Sequence, residues 1–221
     1  MAFSPRVTSS NNNSLSYKII FIGDSNVGKS SILKRRFNNT FSGSPTPTIG
    51  VDFTNIITEY DNKKIKLHVW DTSGQTYFKF IIKNYLNVTD NVVIMFDLSN
   101  RQSFNNLHIW LKELNIRNDY SHIFLVGNKC DLEKQVSDED IKDFIEHNKK
   151  LNLEYLEVSA KQGKNIELLF LKLTQLIYED NKLLFGNTQS PLLHPENEKK
   201  TSCLERFTKC LKLNSLKKIE I

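Results

Sequence analysis

A glycine-rich segment near the start of the chain has the residue types and spacing of a phosphate-binding loop. It reads Gly23-Asp24-Ser25-Asn26-Val27-Gly28-Lys29-Ser30 and fits the pattern G-x-x-x-x-G-K-[ST]. Its glycines let the backbone turn tightly, so that backbone N–H groups come close to an anion. Lys29 can reach the outer phosphates of a nucleotide, and the Ser30 hydroxyl can bind Mg²⁺. The segment therefore predicts a nucleotide phosphate site.

The elements predicted around this loop are those that a phosphate site needs. Residues 17–22 form a β-branched and aromatic run typical of a buried strand, and residues 31–37 predict a helix. The N-terminus of such a helix presents free N–H groups and the positive end of its dipole to an anion. A strand before the loop and a helix after it disfavour the alternative, an ordinary turn that contains glycine.

The composition fits one domain with polar ends. The chain has 221 residues, of which 39% are hydrophobic, and a formal net charge of +5. Lysine and arginine are spread along the chain with some concentration near its C-terminus. This distribution favours a membrane or partner role for the tail, and we expect no nucleic-acid binding. We recognise no secretory signal and no apolar run that could span a bilayer, so we expect a cytoplasmic protein.

Strands and helices alternate from Tyr17 onward, which predicts an α/β fold with an open, mostly parallel sheet. Strands are predicted over residues 52–60, 63–70, 92–96, 123–126 and 153–158, and helices over residues 102–116, 137–148 and 166–184. We predict a disordered N-terminal extension over residues 1–16, one domain over residues 17–185 and a flexible basic tail over residues 186–221.

A second motif follows the strand predicted to end at Trp70. It reads Trp70-Asp71-Thr72-Ser73-Gly74-Gln75. An aspartate at a strand end can hold Mg²⁺ through water, and the glycine after it permits close approach to a terminal phosphate. Ligands bind at the carboxyl ends of the strands in open α/β sheets, which is where this motif and the phosphate loop lie.

Two shorter motifs, Asn128-Lys129-Cys130-Asp131 and Ser159-Ala160-Lys161, predict a site for guanine. A carboxylate at Asp131 can accept hydrogen bonds from both N1 and N2 of guanine. Adenine lacks that pair of donors, and such a buried mismatch costs about 1–3 kcal/mol. The backbone of residues 159–161 can donate to the guanine O6. Each of these short strings can occur by chance, but four motifs in this order are not a chance occurrence. Lys129 and Asp131 also disfavour the alternative of an ATP-using enzyme.

With these motifs the sequence resembles the Ras-like small GTPases, and within them the Rab family, over residues 17–180. The run Thr48-Ile49-Gly50-Val51-Asp52-Phe53 is similar to the first switch of that family, and Lys66-Leu67-His68-Val69-Trp70 is similar to its K-L-x-[IV]-W strand. The resemblance implies the P-loop NTPase fold of small G proteins, with helices on both faces of the sheet. It also implies binding of GTP or GDP with Mg²⁺, slow GTP hydrolysis and switching of effector binding.

The resemblance further implies partners and a place in the cell. The expected partners are the guanine nucleotide, effectors, exchange factors and GTPase-activating proteins. We expect a monomer that acts in intracellular vesicle trafficking, in the cytoplasm or peripherally on endomembranes.

Residue roles follow from the same resemblance. Thr48 is expected to bind Mg²⁺ and cover the third phosphate, Gly74 to bond that phosphate, and Gln75 to orient the attacking water. Phe41 is expected to pack against the base. The catalytic candidates are Lys29, Thr48 and Gln75; the metal ligands are Ser30, Thr48 and Asp71; and the effector-binding residues are Ile49, Phe53, Trp70 and Tyr85. The nucleotide-binding residues are Ser25, Asn26, Val27, Gly28, Lys29, Ser30, Ser31, Phe41, Thr48, Gly74, Asn128, Lys129, Asp131, Ser159, Ala160 and Lys161.

Two of these assignments have an alternative. Thr48 could be an ordinary loop hydroxyl, because Thr46 is an equally polar neighbour and only the family spacing selects Thr48. The aromatic residues Phe53, Trp70 and Tyr85 could be packing residues alone.

The second switch departs from the family pattern W-D-T-A-G-Q-E-[RK]-[FY]. Ser73 replaces the alanine, and Thr76-Tyr77 replaces the acidic–basic pair. We therefore expect standard Rab exchange factors to act poorly on this chain. A GTP-binding scaffold with little or no hydrolysis is the alternative function. Residues 85–90 also lack the basic and small residues of the usual Y-Y-R-G-A, so we expect unusual effectors. The apolar residues Phe78, Phe80, Ile81 and Ile82 predict an exposed hydrophobic surface or a helix face.

The tail lacks the one or two terminal cysteines that Rab proteins usually carry for prenylation. Leu204, Phe207 and Leu211 recur at helical spacing among lysines, as in a basic amphipathic helix on an anionic membrane. Cys203 or Cys210 could be reversibly palmitoylated. A solvated, disordered tail is the alternative.

Overall fold

A computed structural model describes residues 15–43, 46–75, 79–89, 91–114, 120 and 122–185. Six strands form one sheet in the order β2-β3-β1-β4-β5-β6. The strands are β1 (Leu15–Gly23), β2 (Val51–Tyr60), β3 (Lys63–Thr72), β4 (Asn91–Asp97), β5 (His122–Asn128) and β6 (Glu154–Glu157). Only β2 pairs antiparallel, with β3, through the turn at Asp61 and Asn62. The carboxyl ends of the five parallel strands therefore meet at one edge of the sheet.

Six α-helices are present among the described residues. They are α1 (Lys29–Asn38), α2 (Lys79–Leu86), α3 (Arg101–Asn105), α4 (Leu107–Leu114), α5 (Asp138–His147) and α6 (Ile166–Phe185). The clearest local signal is at the start of α5. There the Ser137 hydroxyl accepts from the Asp140 N–H, and the Asp140 carboxylate accepts from the Ser137 N–H. This capping box satisfies two backbone donors that the helix leaves open.

The hydrophobic core lies on both faces of the sheet because side chains alternate along each strand. One face packs against α1 and α6, with Phe21, Leu67 and Phe170 among its fully buried members. The other face packs against α2, α4 and α5, with Ile22 and Trp110 inside it. β1 lies between β3 and β4, so the chain order reverses at its carboxyl end, where the phosphate loop begins. The predicted α/β class with helices on both faces is confirmed.

Several predicted boundaries need correction. β1 begins at Leu15, so Leu15 and Ser16 belong to the sheet rather than to the N-terminal extension. The helix predicted over residues 102–116 is interrupted at Asn106, whose side chain donates to the Asp24 carboxylate. The apolar segment for which a hydrophobic surface or a helix face was predicted forms the short helix α2, on which Ile82 is buried and Phe80 is 65% exposed. Predictions for residues 1–14, 76–78 and 186–221 lie outside the described residues.

Candidate functional site

The loop between β1 and α1 holds its backbone in a shape that depends on small residues. Asn26 and Gly28 both have left-handed backbone angles, with φ of 63° and 96°. Space also requires glycine at position 28, since a Cβ there would collide with the side-chain amide of Asn128. Ser25 and Asn26 are exposed, Val27 is buried, and Ser31 lies in the first turn of α1.

Lys29 is folded back over this loop. Its Nζ donates to the carbonyl oxygens of Gly23 and Asp24, both at 2.8 Å, and the residue is only 5% exposed. Burial lowers the pKa of the Lys29 ammonium to about 8, against the opposing attraction of Asp71 and Asp24. A phosphate placed over the loop would supply the negative charge that favours the ammonium form.

Three oxygen-bearing side chains meet beside Lys29. The Ser30 Oγ lies 2.6 Å from the Thr48 Oγ1, although 18 positions separate the two residues. Burial raises the pKa of the Asp71 carboxyl, and a hydrogen bond with the Ser30 hydroxyl opposes that rise. Asp71 Oδ1 is buried and has no hydrogen-bond partner among the described residues. The structure thus brings together the three residues predicted as metal ligands.

The start of the second switch is joined to the first switch and to the phosphate loop. The Ser73 N–H donates to the carbonyl oxygen of Gly50 at 2.8 Å. Gly74 lies against the backbone of Asp24 and Ser25, with no room for a Cβ. Gln75 is exposed, and its N–H donates to the Ser73 Oγ at 3.3 Å. The hydroxyl that departs from the family pattern therefore bonds the backbone of the catalytic candidate.

The two base motifs are joined to the phosphate loop through Asn128. Its Nδ2 donates to the carbonyl oxygen of Val27 at 2.8 Å, and its Oδ1 accepts from the Ala160 N–H at 3.2 Å. Asn128 is 1% exposed, so both of these hydrogen bonds are buried. Lys129 has a left-handed backbone, with φ of 63°, and its Nζ lies 2.6 Å from Oδ2 of the buried Asp97.

Asp131, the predicted guanine acceptor, is held by the second base motif. The Ser159 Oγ donates to Asp131 Oδ1 at 2.5 Å. Lys161 follows in the same turn and is exposed. Phe41, predicted to pack against the base, lies in the loop after α1 and is 40% exposed.

Three of the four predicted effector residues form a row of rings, with Phe53 on β2, Trp70 on β3 and Tyr85 on α2. The Phe53 and Trp70 ring centroids are 5.4 Å apart, and those of Trp70 and Tyr85 are 6.2 Å apart. His68, which the sequence interpretation did not single out, extends the row because it stacks on Phe53 at 5.8 Å. Ile49 is 84% exposed.

Sequence reasoning missed several residues that support the site. Asp24, Arg35, Asp97 and Trp110 received no role, although each bonds a predicted nucleotide-binding residue or the phosphate loop. The position of Asp24 could have been recognised from sequence. An acidic residue inside an anion-binding loop needs hydrogen-bond donors from elsewhere in the protein. Arg35, Asp97 and Trp110 are ordinary helix and strand residues by pattern, and only their tertiary contacts distinguish them.

Fold and site together define a P-loop nucleotide-binding protein: a mostly parallel sheet, a glycine loop between β1 and α1, and further motifs at the same sheet edge. A family model described as the Ras family matches residues 18–179. In the described part of the chain, no helix has the length and apolarity needed to cross a membrane.

Curated relatives agree with this match. The chain is 40% identical to the Ras-related protein RABD2c of Arabidopsis thaliana, over 73% of this chain and 80% of the relative. It is 42% identical to the Ras-related protein Rab-11B of Dictyostelium discoideum, over 73% of each chain, and 39% identical to the Ras-related protein SEC4 of Candida albicans, over 78% and 82%. The chain belongs to the Ras family and is a small GTPase of the Rab type, an enzyme that hydrolyses GTP.

Proposed function

We propose that this GTPase is a regulatory switch in intracellular vesicle trafficking. It binds GTP or GDP with Mg²⁺, hydrolyses GTP slowly, and binds effectors through the β2–β3 face when both switches are ordered. Its expected regulators are exchange factors and GTPase-activating proteins. The trafficking role rests on the Rab-type relatives, and the switching role rests on the site geometry described above.

The observation that carries the proposal is the contact between Ser30 and Thr48. Ser30 belongs to the phosphate loop, and Thr48 belongs to the first switch, yet their hydroxyl oxygens are 2.6 Å apart. Asp71, at the end of β3, lies close enough to Ser30 that this hydroxyl opposes the rise in the pKa of its carboxyl that burial causes. A ligand at this point would therefore be sensed by the phosphate loop and by both switches at once.

The residues present fit Mg²⁺. This ion prefers oxygen ligands and is bound in nucleotide sites by few protein groups, together with phosphates and water. Ser30 and Thr48 would be its direct ligands, and Asp71, with its unpartnered buried oxygen, would bind through water. When bound, the ion would neutralise charge on the outer phosphates.

The chain's own residues would do the remaining work by positioning and charge. Lys29 would turn its ammonium from the loop carbonyls to the outer phosphates. Gly74 would approach the third phosphate because it has no side chain, and Gln75 would orient the attacking water. Hydrolysis removes the third phosphate, and the contacts that order both switches are then lost.

The first experiment compares single-turnover GTP hydrolysis by the wild type and Gln75→Leu in the presence of Mg²⁺. A slow wild-type rate that falls at least tenfold in the variant supports a working switch with Gln75 in its proposed role. Tight GTP binding with equally negligible hydrolysis by both proteins would instead favour the scaffold alternative. Gln175→Leu is the matched control, because Gln175 is exposed in the middle of helix α6 and belongs to neither the phosphate loop nor a switch.

The base assignment has a separate test. Asp131→Asn should weaken GDP binding and shift preference toward xanthine nucleotides, because an amide can donate to the xanthine O2 where guanine presents a donor. Unchanged GDP affinity in Asp131→Asn would contradict the assignment. Competition between GDP and xanthosine diphosphate at equilibrium measures both outcomes.

Peripheral contact with endomembranes through the basic tail is the remaining part of the proposal. Flotation with anionic liposomes, compared between the full chain and a deletion of residues 199–221, tests it. Binding that survives the deletion would show that these residues are not the anchor.

A further inference from the structure

Arg35 connects helix α1 to the turn that carries the second base motif. Its Nε donates to the carbonyl oxygen of Ala160 at 2.8 Å, and its Nη2 donates to the carbonyl oxygen of Lys161 at 2.6 Å. The residues are 125 and 126 positions apart in the chain. The planar guanidinium thus holds two consecutive carbonyl groups of one turn.

The guanidinium is itself fixed from the other side. Its Nη1 donates to the backbone oxygen of Asn39 at 2.8 Å and is 3.3 Å from the Asn39 Oδ1. Asn39 ends α1 with a left-handed backbone, φ 51°, and its N–H donates to the carbonyl of Arg35. Arg35 is therefore braced by the end of the helix on which it lies and has little freedom to leave the turn.

Further hydrogen bonds connect the Lys161 carbonyl group to Asp131, the proposed acceptor for the base. In a planar trans peptide the C=O of one residue and the N–H of the next point in opposite directions. Because the Lys161 carbonyl faces Arg35, the Gln162 N–H points the other way, and it donates to the Ser159 Oγ at 3.0 Å. The Ser159 Oγ in turn donates to Asp131 Oδ1 at 2.5 Å. A continuous chain of hydrogen bonds thus runs from a guanidinium to a carboxylate.

The hydrogen bonds of this series all run in the same direction. The peptide group between Lys161 and Gln162 accepts one hydrogen bond and donates the next, and so does the Ser159 hydroxyl. Such aligned dipoles strengthen one another, most of all where water is excluded, and Ser159 is fully buried. The inner side of the turn is held separately, since the Ala160 N–H donates to Asn128. Without Arg35 the turn would keep its inner bonds and lose the outer ones.

We propose that Arg35 is a positioning residue for guanine recognition, which sets the orientation of the Asp131 carboxylate through Lys161, Gln162 and Ser159. This inference rests on the proposed function, because it requires Asp131 to receive the base. It predicts that Arg35 affects the discrimination between bases and not only the stability of the domain.

The test uses GDP and inosine diphosphate. Hypoxanthine lacks the N2 amino group of guanine and so removes one of the donors to Asp131, while the phosphates are the same. Equilibrium dissociation constants for both nucleotides are measured with wild type, Arg35→Met, Arg35→Lys and Arg36→Met. Arg36 is a matched control on the same helix, because it pairs with Glu167 and stacks on Phe170 instead of contacting the turn.

We expect Arg35→Met to weaken GDP binding about tenfold and to reduce the GDP-to-inosine-diphosphate preference at least about threefold. Arg35→Lys keeps the charge without the planar fork, and its preference should also fall. Arg36→Met should leave the preference unchanged. If Arg35→Met does not fold, Arg35→Lys carries the same test.

Two results would overturn the inference. One is an equal loss of affinity for both nucleotides in the Arg35 variants, which would make Arg35 a stabilising residue only. The other is unchanged affinity for both. A failure of the base assignment would look different, because Asp131→Asn would then leave GDP affinity intact whatever the Arg35 variants do.

Discussion

The indole Nε1 of Trp110 donates a 2.8 Å hydrogen bond to Asp24 Oδ1 and so joins helix α4 to the phosphate loop. Asn106, at the break between α3 and α4, donates to Asp24 Oδ2 at 2.6 Å. An acid in a loop that receives phosphates would repel them unless its charge were engaged elsewhere. One oxygen of Asp24 faces a donor on α4 and the other faces a donor at the break between α3 and α4, which keeps the carboxylate turned away and ties the loop to the core.

Trp110→Phe should lower the free energy of unfolding by about 1–3 kcal/mol, because the Asp24 oxygen loses a donor while a buried ring is kept. GDP dissociation should also become faster. A double-mutant cycle with Asp24→Ala, measured by denaturant unfolding at one fixed GDP concentration, should give a coupling of about 0.5–3 kcal/mol. Strictly additive effects of the two changes would contradict a direct interaction.

Ser73→Ala restores the alanine of the family pattern, and we expect it to slow intrinsic GTP hydrolysis by about two- to tenfold. The Ser73 Oγ accepts from the Gln75 N–H at 3.3 Å and so orders the peptide that carries the proposed catalytic side chain. GTP affinity should not change. Single-turnover hydrolysis and equilibrium binding measure the two effects.

Introducing Ser73→Ala into a Gln75→Leu background shows whether Ser73 acts through Gln75 or supports the second switch as a whole. If Ser73 acts through Gln75, Ser73→Ala should have no effect on the residual hydrolysis of Gln75→Leu. A similar decrease in both backgrounds would show that the hydroxyl supports the switch as a whole.

Binding of GDP should take up a proton near pH 8. The Lys29 pKa is lowered to about 8 by burial, so about half of the side chain is neutral at pH 8 in the nucleotide-free protein. Phosphate favours the charged form and raises this pKa, and GDP affinity therefore decreases as the pH rises above 8.

The stability of the nucleotide-free protein has the opposite pH dependence. Between pH 8 and the ordinary pKa of lysine the unfolded chain binds more protons than the folded one, so the free energy of unfolding increases with pH there.

Calorimetric titration of Mg²⁺-free protein, in buffers of different ionisation enthalpy, measures this uptake. The uptake should be small at pH 7 and clearly larger at pH 8. Lys34→Met, an exposed lysine on the same helix, should give the wild-type values. An uptake that does not rise between these two pH values would rule out Lys29 as its source.

Leu173→Ala should lower the free energy of unfolding by about 2–5 kcal/mol, because Leu173 is fully buried between α6 and the sheet. Leu171→Ala is the matched control two residues away on the same helix. Leu171 is 45% exposed, and its replacement should change stability by no more than about 0.5 kcal/mol. Equal losses in the two variants would contradict the packing of α6 described here.

Local pattern was sufficient for the fold class and for most elements. Apolar runs with turn residues between them predicted the strands of the sheet, and the helix predicted over residues 137–148 agrees with α5 to within one residue at each end. The break at Asn106 was not predictable, because the apolar spacing continues across it. The short helix α2 lacks both length and an acidic first turn.

The phosphate loop and the residue types of the base motifs can be read from local sequence, because a tight turn, a helix N-terminus and a nearby lysine are encoded within a few neighbouring positions. Which distant groups meet depends on the packing of the folded chain. Ser30 and Thr48 lie 18 positions apart, Asp24 and Trp110 lie 86 apart, and Arg35 and Ala160 lie 125 apart. A hydrogen bond requires its atoms to be within about 3 Å, and over such separations only the packing of helices on the sheet brings them there.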